Sequence, residues 1–143
     1  MKSTGYIKAA AVALMLTATQ AQAMSGYKWK NRPVVVFAGP GGEAQLAEQR
    51  RLFSGKQAGL KERDIVVIWV DHDSVRTQFG PGPGLSAAQL RTRFGVENVR
   101  FRVVLVGKDG GTKISQSRPL SVRQLFATID AMPMRQEEMR RQR

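Results

Sequence analysis

This sequence predicts an α/β domain whose central mixed sheet is covered by helices, in the order β-α-β-α-β-β-α. Three observations carry that prediction. Residues 33–38 (Pro-Val-Val-Val-Phe-Ala) and 65–70 (Ile-Val-Val-Ile-Trp-Val) are continuous apolar, β-branched runs, as expected of strands buried on both faces of a covered parallel sheet. A helix-forming stretch separates them, which makes the three segments a right-handed βαβ unit. Further along, Lys108-Asp109-Gly110-Gly111 lies between two strand-like runs and supplies the turn of an antiparallel hairpin.

Each element follows from local chemistry. Residues 24–32 are a short polar lead containing Tyr27 and Trp29. Residues 43–60 are rich in helix formers, and Leu46, Phe53 and Leu60 recur every seven positions, which predicts one helix with one face on the sheet. Residues 71–84 read as a loop, because Gly80-Pro81-Gly82-Pro83-Gly84 suits no regular element. Ser86 is placed to cap a helix running to Phe94, with Ala87, Leu90 and Phe94 on one side and Gly95 in the left-handed position that ends it. Residues 101–106 and 112–115 are the third and fourth strands. Ser121 caps a last helix, on which Val122, Leu125, Phe126 and Ile129 form an i, i+3, i+4, i+7 stripe. Pro133 is expected to stop it, leaving 136–143 as a charged tail. A βαβ unit followed by a helix, an antiparallel hairpin and a closing helix is the thioredoxin-like arrangement.

Residues 1–23 are read as a secretory signal peptide and not as part of the fold. Lys2 and Lys8 precede a short apolar stretch, and Ala21-Gln22-Ala23 supplies the small residues at which cleavage is expected. The protein is therefore expected to be exported, periplasmic or secreted, with 24–143 as a single domain. No later apolar run is long enough to cross a bilayer. The 143 residues include no cysteine, which excludes thiol redox catalysis, thiolate metal sites and disulfides. Residues 24–143 hold 21 basic and 11 acidic residues, a net charge of +10. A basic exported domain favours an anionic envelope component or an acidic protein as partner over nucleic acid.

Several segments resemble the DUF4174 family of exported bacterial proteins, related to animal secreted proteins of the sushi-repeat and coiled-coil-domain type. They are Arg63-Asp64-Ile65-Val66-Val67-Ile68, Leu105-Val106-Gly107-Lys108-Asp109-Gly110-Gly111-Thr112-Lys113, and Ile129-Asp130-Ala131-Met132-Pro133-Met134-Arg135 with Glu138 and Met139. The resemblance implies a peroxiredoxin-like or thioredoxin-like fold and no settled activity. It also shows what is missing. A peroxiredoxin carries P-x-x-x-T-x-x-C after its first strand; aligned on Pro40, this chain has Ala44 for the threonine and Ala47 for the cysteine. A thioredoxin places C-x-x-C near residues 39–43, and none is present.

Candidate sites lie at two poles. The carboxyl ends of the parallel strands are the usual ligand side of an open α/β sheet. There Gly41 and Gly42 lead into a helix start that suits an anion, the structural alternative being a tight strand-to-helix turn. Arg100, Arg102 and Arg118, with Arg91 and Arg93, make a candidate basic patch. Asp71, His72 and Asp73 are weak metal candidates, because adjacent side chains of an extended segment diverge unless the loop curls. At the other pole Lys108, Asp109, Lys113, Met134 and Arg135 are candidates for a partner surface, set against a purely structural turn and helix stop. No motif calls for a cofactor or names a catalytic residue. The expected function is a non-enzymatic binding module with a basic surface, the alternative being a non-thiol or metal-dependent enzyme around residues 71–73.

Overall fold

The computed structural model describes residues 24–143, so the predicted export signal at 1–23 lies outside the described residues. The two apolar runs form strands β1 (Arg32–Ala38) and β2 (Ile65–Asp71), paired in parallel with Val34 beside Val67 and Val36 beside Trp69. Strands β3 (Ser74–Gln78), β4 (Phe101–Val106) and β5 (Thr112–Gln116) complete one mixed five-stranded sheet in the order β3-β2-β1-β4-β5. β4 runs antiparallel to β1, and β3 and β5 are antiparallel edge strands.

Helices cover both faces: α1 (Glu43–Phe53), α2 (Gln57–Glu62), α3 (Ala87–Phe94), α4 (Val122–Asp130) and α5 (Pro133–Arg141). On one face Val34, Val36, Val67, Trp69, Val103 and Leu105 pack with Leu46 and Phe53 of α1, Leu60 of α2, and Leu125 and Ile129 of α4. The other face buries Val35, Phe37, Ile68 and Val104 beneath Leu90 of α3, with Leu85, Val96 and Tyr27 beside it. The buried Gln49 side chain joins α1 to the α4 lead: its amide donates to Leu120 O (2.8 Å) and accepts from Leu120 N (2.7 Å). Ser86 caps α3 through a reciprocal bond pair with Gln89, and Gly95 ends it at φ +65°.

Three expectations are corrected. Residues 43–60 are two helices: the Ser54 N–H closes α1 on Arg50 O and Arg51 O, Ser54 turns extended, and Gly55 takes φ +74° before α2 begins. Leu46, Phe53 and Leu60 are nonetheless all buried, so the seven-residue spacing reported a face and not a continuous helix. Part of the predicted 71–84 loop is strand β3, hairpin-paired to β2 with Asp71 opposite Ser74. The predicted charged tail is helix α5; Pro133, expected as a stop, occupies its first turn, where a missing N–H costs no helical bond.

Candidate functional site

Parallel β1 and β2 end where antiparallel β4 begins, so three chain segments converge at this pole. Backbone bonds lock them together: Gly39 N donates to Arg100 O (2.9 Å) and His72 N to Ala38 O (2.9 Å). From α3, the Arg91 guanidinium donates to His72 O (2.6 Å) and Ala38 O (3.0 Å), tying helix to strand ends. Between them is a hollow of 610 Å³ lined by Gly39, Pro40, His72, Asp73, Arg91 and Arg100, among others.

His72 opens the two-residue turn between β2 and β3 at φ +51°, a curl that lets its ring meet the Asp71 side chain. Its Nδ1 lies 2.7 Å from Asp71 Oδ1, and its Nε2 lies 3.3 Å from Glu43 Oε1. The Asp71 hydrogen bond, helped by the nearby Glu43 carboxylate, raises the imidazole pKa above its ordinary 6.5, and the same bond lowers that of Asp71. Arg50 reaches the second oxygen of Asp71 at 3.5 Å. Glu43 is a site residue the sequence pattern did not flag; its one signal was its place in the first turn of the helix after the glycines. Among the described residues, no group of three or more His, Cys, Asp or Glu side chains is arranged to hold a metal ion, so Asp71, His72 and Asp73 do not converge as ligands. In Asp71→Asn, the His72 midpoint in an imidazole NMR titration is expected to fall back toward 6.5; an unchanged midpoint would remove Asp71 as the cause.

The glycine turn is already filled by the chain itself. Gly41 sits at φ +87° beneath the Arg100 side chain, and the Gly42 N–H donates to Gly39 O (3.0 Å). The acidic Glu43 occupies the positive end of α1. Gly41 and Gly42 thus form the tight strand-to-helix turn set beside the anion reading in the sequence. Arg93, Arg100 and Arg118 are exposed at this pole, Arg102 is half-buried, and none of these four pairs with a carboxylate among the described residues. Arg102 touches Ser115 Oγ at 3.3 Å, while its buried Nε has no hydrogen-bond partner. Arg91 is committed to backbone carbonyls.

At the opposite pole the partner-surface expectation is corrected for two residues. Lys108 and Arg135 are buried, as is Arg32 at the start of β1. Lys108 Nζ reaches Asp64 Oδ2 (2.8 Å) and Glu138 Oε1 (2.7 Å), and Arg32 grips both oxygens of Glu138. Arg135 bonds Asp130 and Glu62, and Arg63 pairs with Asp130 while its guanidinium lies 3.8 Å from the Phe126 ring centre. Arg32, Arg63, Lys108 and Arg135 thus face Glu62, Asp64, Asp130 and Glu138, a balanced cluster. Burial acts to raise the pKa of Glu138, but the bonds from Arg32 and Lys108 prevail and hold it below its ordinary range. Of the remaining expected surface residues, Asp109 and Lys113 form an exposed pair and Met134 is exposed.

A family model described as a domain of unknown function (DUF4174) matches residues 23–138. No curated protein matches, and no solved structure does.

Proposed function

We propose that this chain, which belongs to the DUF4174 family, is an exported, non-enzymatic binding module on a thioredoxin-like scaffold, with a basic surface that receives an anionic envelope component or an acidic protein. The scaffold reading is supported by the sheet: the parallel β1–β2 pair flanked by antiparallel β4–β5, with helices on both faces. The export reading rests on the features of residues 1–23.

One observation carries the function. Arg93, Arg100, Arg102 and Arg118 at the strand-end pole pair with no carboxylate among the described residues, although Glu43, Asp71, Asp73 and Glu97 stand at the same pole, whereas Arg32, Arg63, Lys108 and Arg135 at the other pole are all engaged by acids. The segments that mark the family, by contrast, supply the cluster: Arg63, Asp64, Lys108, Asp130, Arg135 and Glu138. Their chemistry is structural, so the unpaired strand-end arginines and not these segments are the place to look for a partner.

The test is sedimentation with phosphatidylglycerol vesicles, and with vesicles carrying lipopolysaccharide, as salt rises from about 0.05 to 0.5 M. Binding is expected to fall steeply with salt and to weaken in Arg100→Ser and Arg118→Ser. Binding that ignores salt, or none at all to these vesicles or to an acidic protein, would overturn the proposal. A second reading, a non-thiol enzyme at the same pole, is favoured by the 610 Å³ hollow that joins His72, Asp73 and Arg100. It predicts that His72→Gln abolishes a turnover that Arg118→Ser leaves intact.

A further inference from the structure

Strand β3 is the place where the sheet outruns its helical cover. It is an edge strand, and among the described residues no backbone hydrogen bond from outside the sheet reaches residues 74–78. Alternate N–H and C=O groups of such a strand point away from the sheet, ready for another chain. The pairing of Trp69 with Arg76 and of Val67 with Gln78 sets those two side chains on the face packed by α1 and α2. There a groove of 960 Å³ opens, with Phe53, Leu60, Trp69 and Phe79 along its apolar floor and Arg50 and Arg76 at its sides. Trp69 is held in place: its indole N–H donates to Gln78 Oε1 (2.9 Å), and Phe53 meets it edge-on at 6.1 Å. The Arg50 guanidinium lies 5.6 Å from the Trp69 ring centre, and the Lys61 ammonium lies 5.6 Å from that of Phe79. Asp71, the carboxylate lining the groove, is already bonded to His72 and Arg50. The other edge is unlike this one: β5 joins β4 through a register shift, and its Lys113 is paired with Asp109.

We propose that β3 and this groove together bind an extended acidic peptide segment, which adds to the sheet as a sixth strand. Strand addition supplies the main-chain bonds, and alternate side chains fall over the groove. An apolar residue rests on the Phe53–Trp69–Phe79 floor, and the carboxylates two positions before and after it meet Arg50 and Arg76. Arg50 and Arg76 line the groove and Lys61 stands over Phe79 beside it, against the single carboxylate Asp71, already engaged by Arg50 and His72, and this balance selects an acidic segment over a basic one. The site rests on the anionic-partner reading but lies apart from the strand-end arginines, so each can fail alone.

The test uses an acetylated peptide bearing Glu-Thr-Leu-Thr-Glu and the Trp29→Phe protein, in which Trp69 is the remaining tryptophan. Expected are a saturable change in Trp69 emission, amide shifts in the unsubstituted protein centred on residues 74–78, and binding about tenfold weaker in Arg76→Glu. Methylating alternate peptide amides should abolish binding, because it removes the ladder donors. No saturable change, shifts confined to residues 39–42 and 98–100, or undiminished binding of the methylated peptide would each overturn strand addition; the salt dependence of vesicle binding is unaffected by any of them.

Discussion

Glu138→Ala is expected to destabilise the domain by about 4 kcal/mol, read as a lowered midpoint in urea unfolding. Glu138 alone accepts from both Arg32 and Lys108. Without it, Arg32 keeps only its bond to Arg63 O, and its Nε is already unpartnered. Lys108 keeps only Asp64. Both cations are buried, so losing the carboxylate leaves each of them short of an acceptor away from bulk water. The neighbouring Glu137→Ala, which breaks exposed pairs with Arg140 and Arg141, should change stability by less than about 0.5 kcal/mol. The pH dependence has a defined sign. Glu138 is lowered from 4.5 and Asp130 from 3.8 by their cationic partners, so both contribute stability above those values and lose it as pH falls through the lowered ones. The acid limb of a melting-temperature profile should therefore be shallower in Glu138→Ala. Equal slopes would remove Glu138 from the linkage, and a midpoint near that of the parent protein would make the cluster incidental.

Gly42→Ala should cost about 3 kcal/mol. Its φ of −104° is open to any residue, so the demand is for space and not for conformation. A β-carbon there would stand 2.0 Å from Arg100 O, a backbone atom held in place by the Gly39 N–H. Relief requires separating the α1 start from the β4 start, which loosens the whole strand-end pole. Gly55→Ala is the contrasting variant: its β-carbon would meet nothing within 4 Å, and its cost is confined to φ +74°. Amide exchange in Gly42→Ala should quicken at Gly39 and His72 first, whereas in Gly55→Ala it should not. Uniform protection across both variants would show that the turn tolerates a side chain.

What the sequence disclosed was whatever burial writes into apolar spacing. The runs at 33–38 and 65–70, the stripe on α4 and the Ser86 and Gly95 caps all depend on neighbours in sequence, and all are visible there. β3 was invisible because an edge strand buries little: Ser-Val-Arg-Thr-Gln holds one apolar residue, and its half-buried pattern comes from pairing with β2. α5 leaves no apolar signature because its inward residues are Arg135 and Glu138, which no hydrophobic period detects. Their partners Arg32, Glu62 and Lys108 lie elsewhere in the chain, and only the fold reveals that the charges match. At the strand-end pole, the arginines were legible as charge, but the partnering of His72 with Asp71 and Glu43 depended on a turn geometry that composition does not encode.

The span of 106 positions between Arg32 and Glu138 has a consequence for biosynthesis. A growing chain emits the cation early and its counter-ion only once α5 is made. Every shorter intermediate would have to enclose Arg32 with no carboxylate and Lys108 with Asp64 alone, so premature closure of the sheet is penalised. Products cut short before α5 should accordingly persist as open, protease-sensitive chains, because this helix brings the carboxylate that lets the sheet close over Arg32.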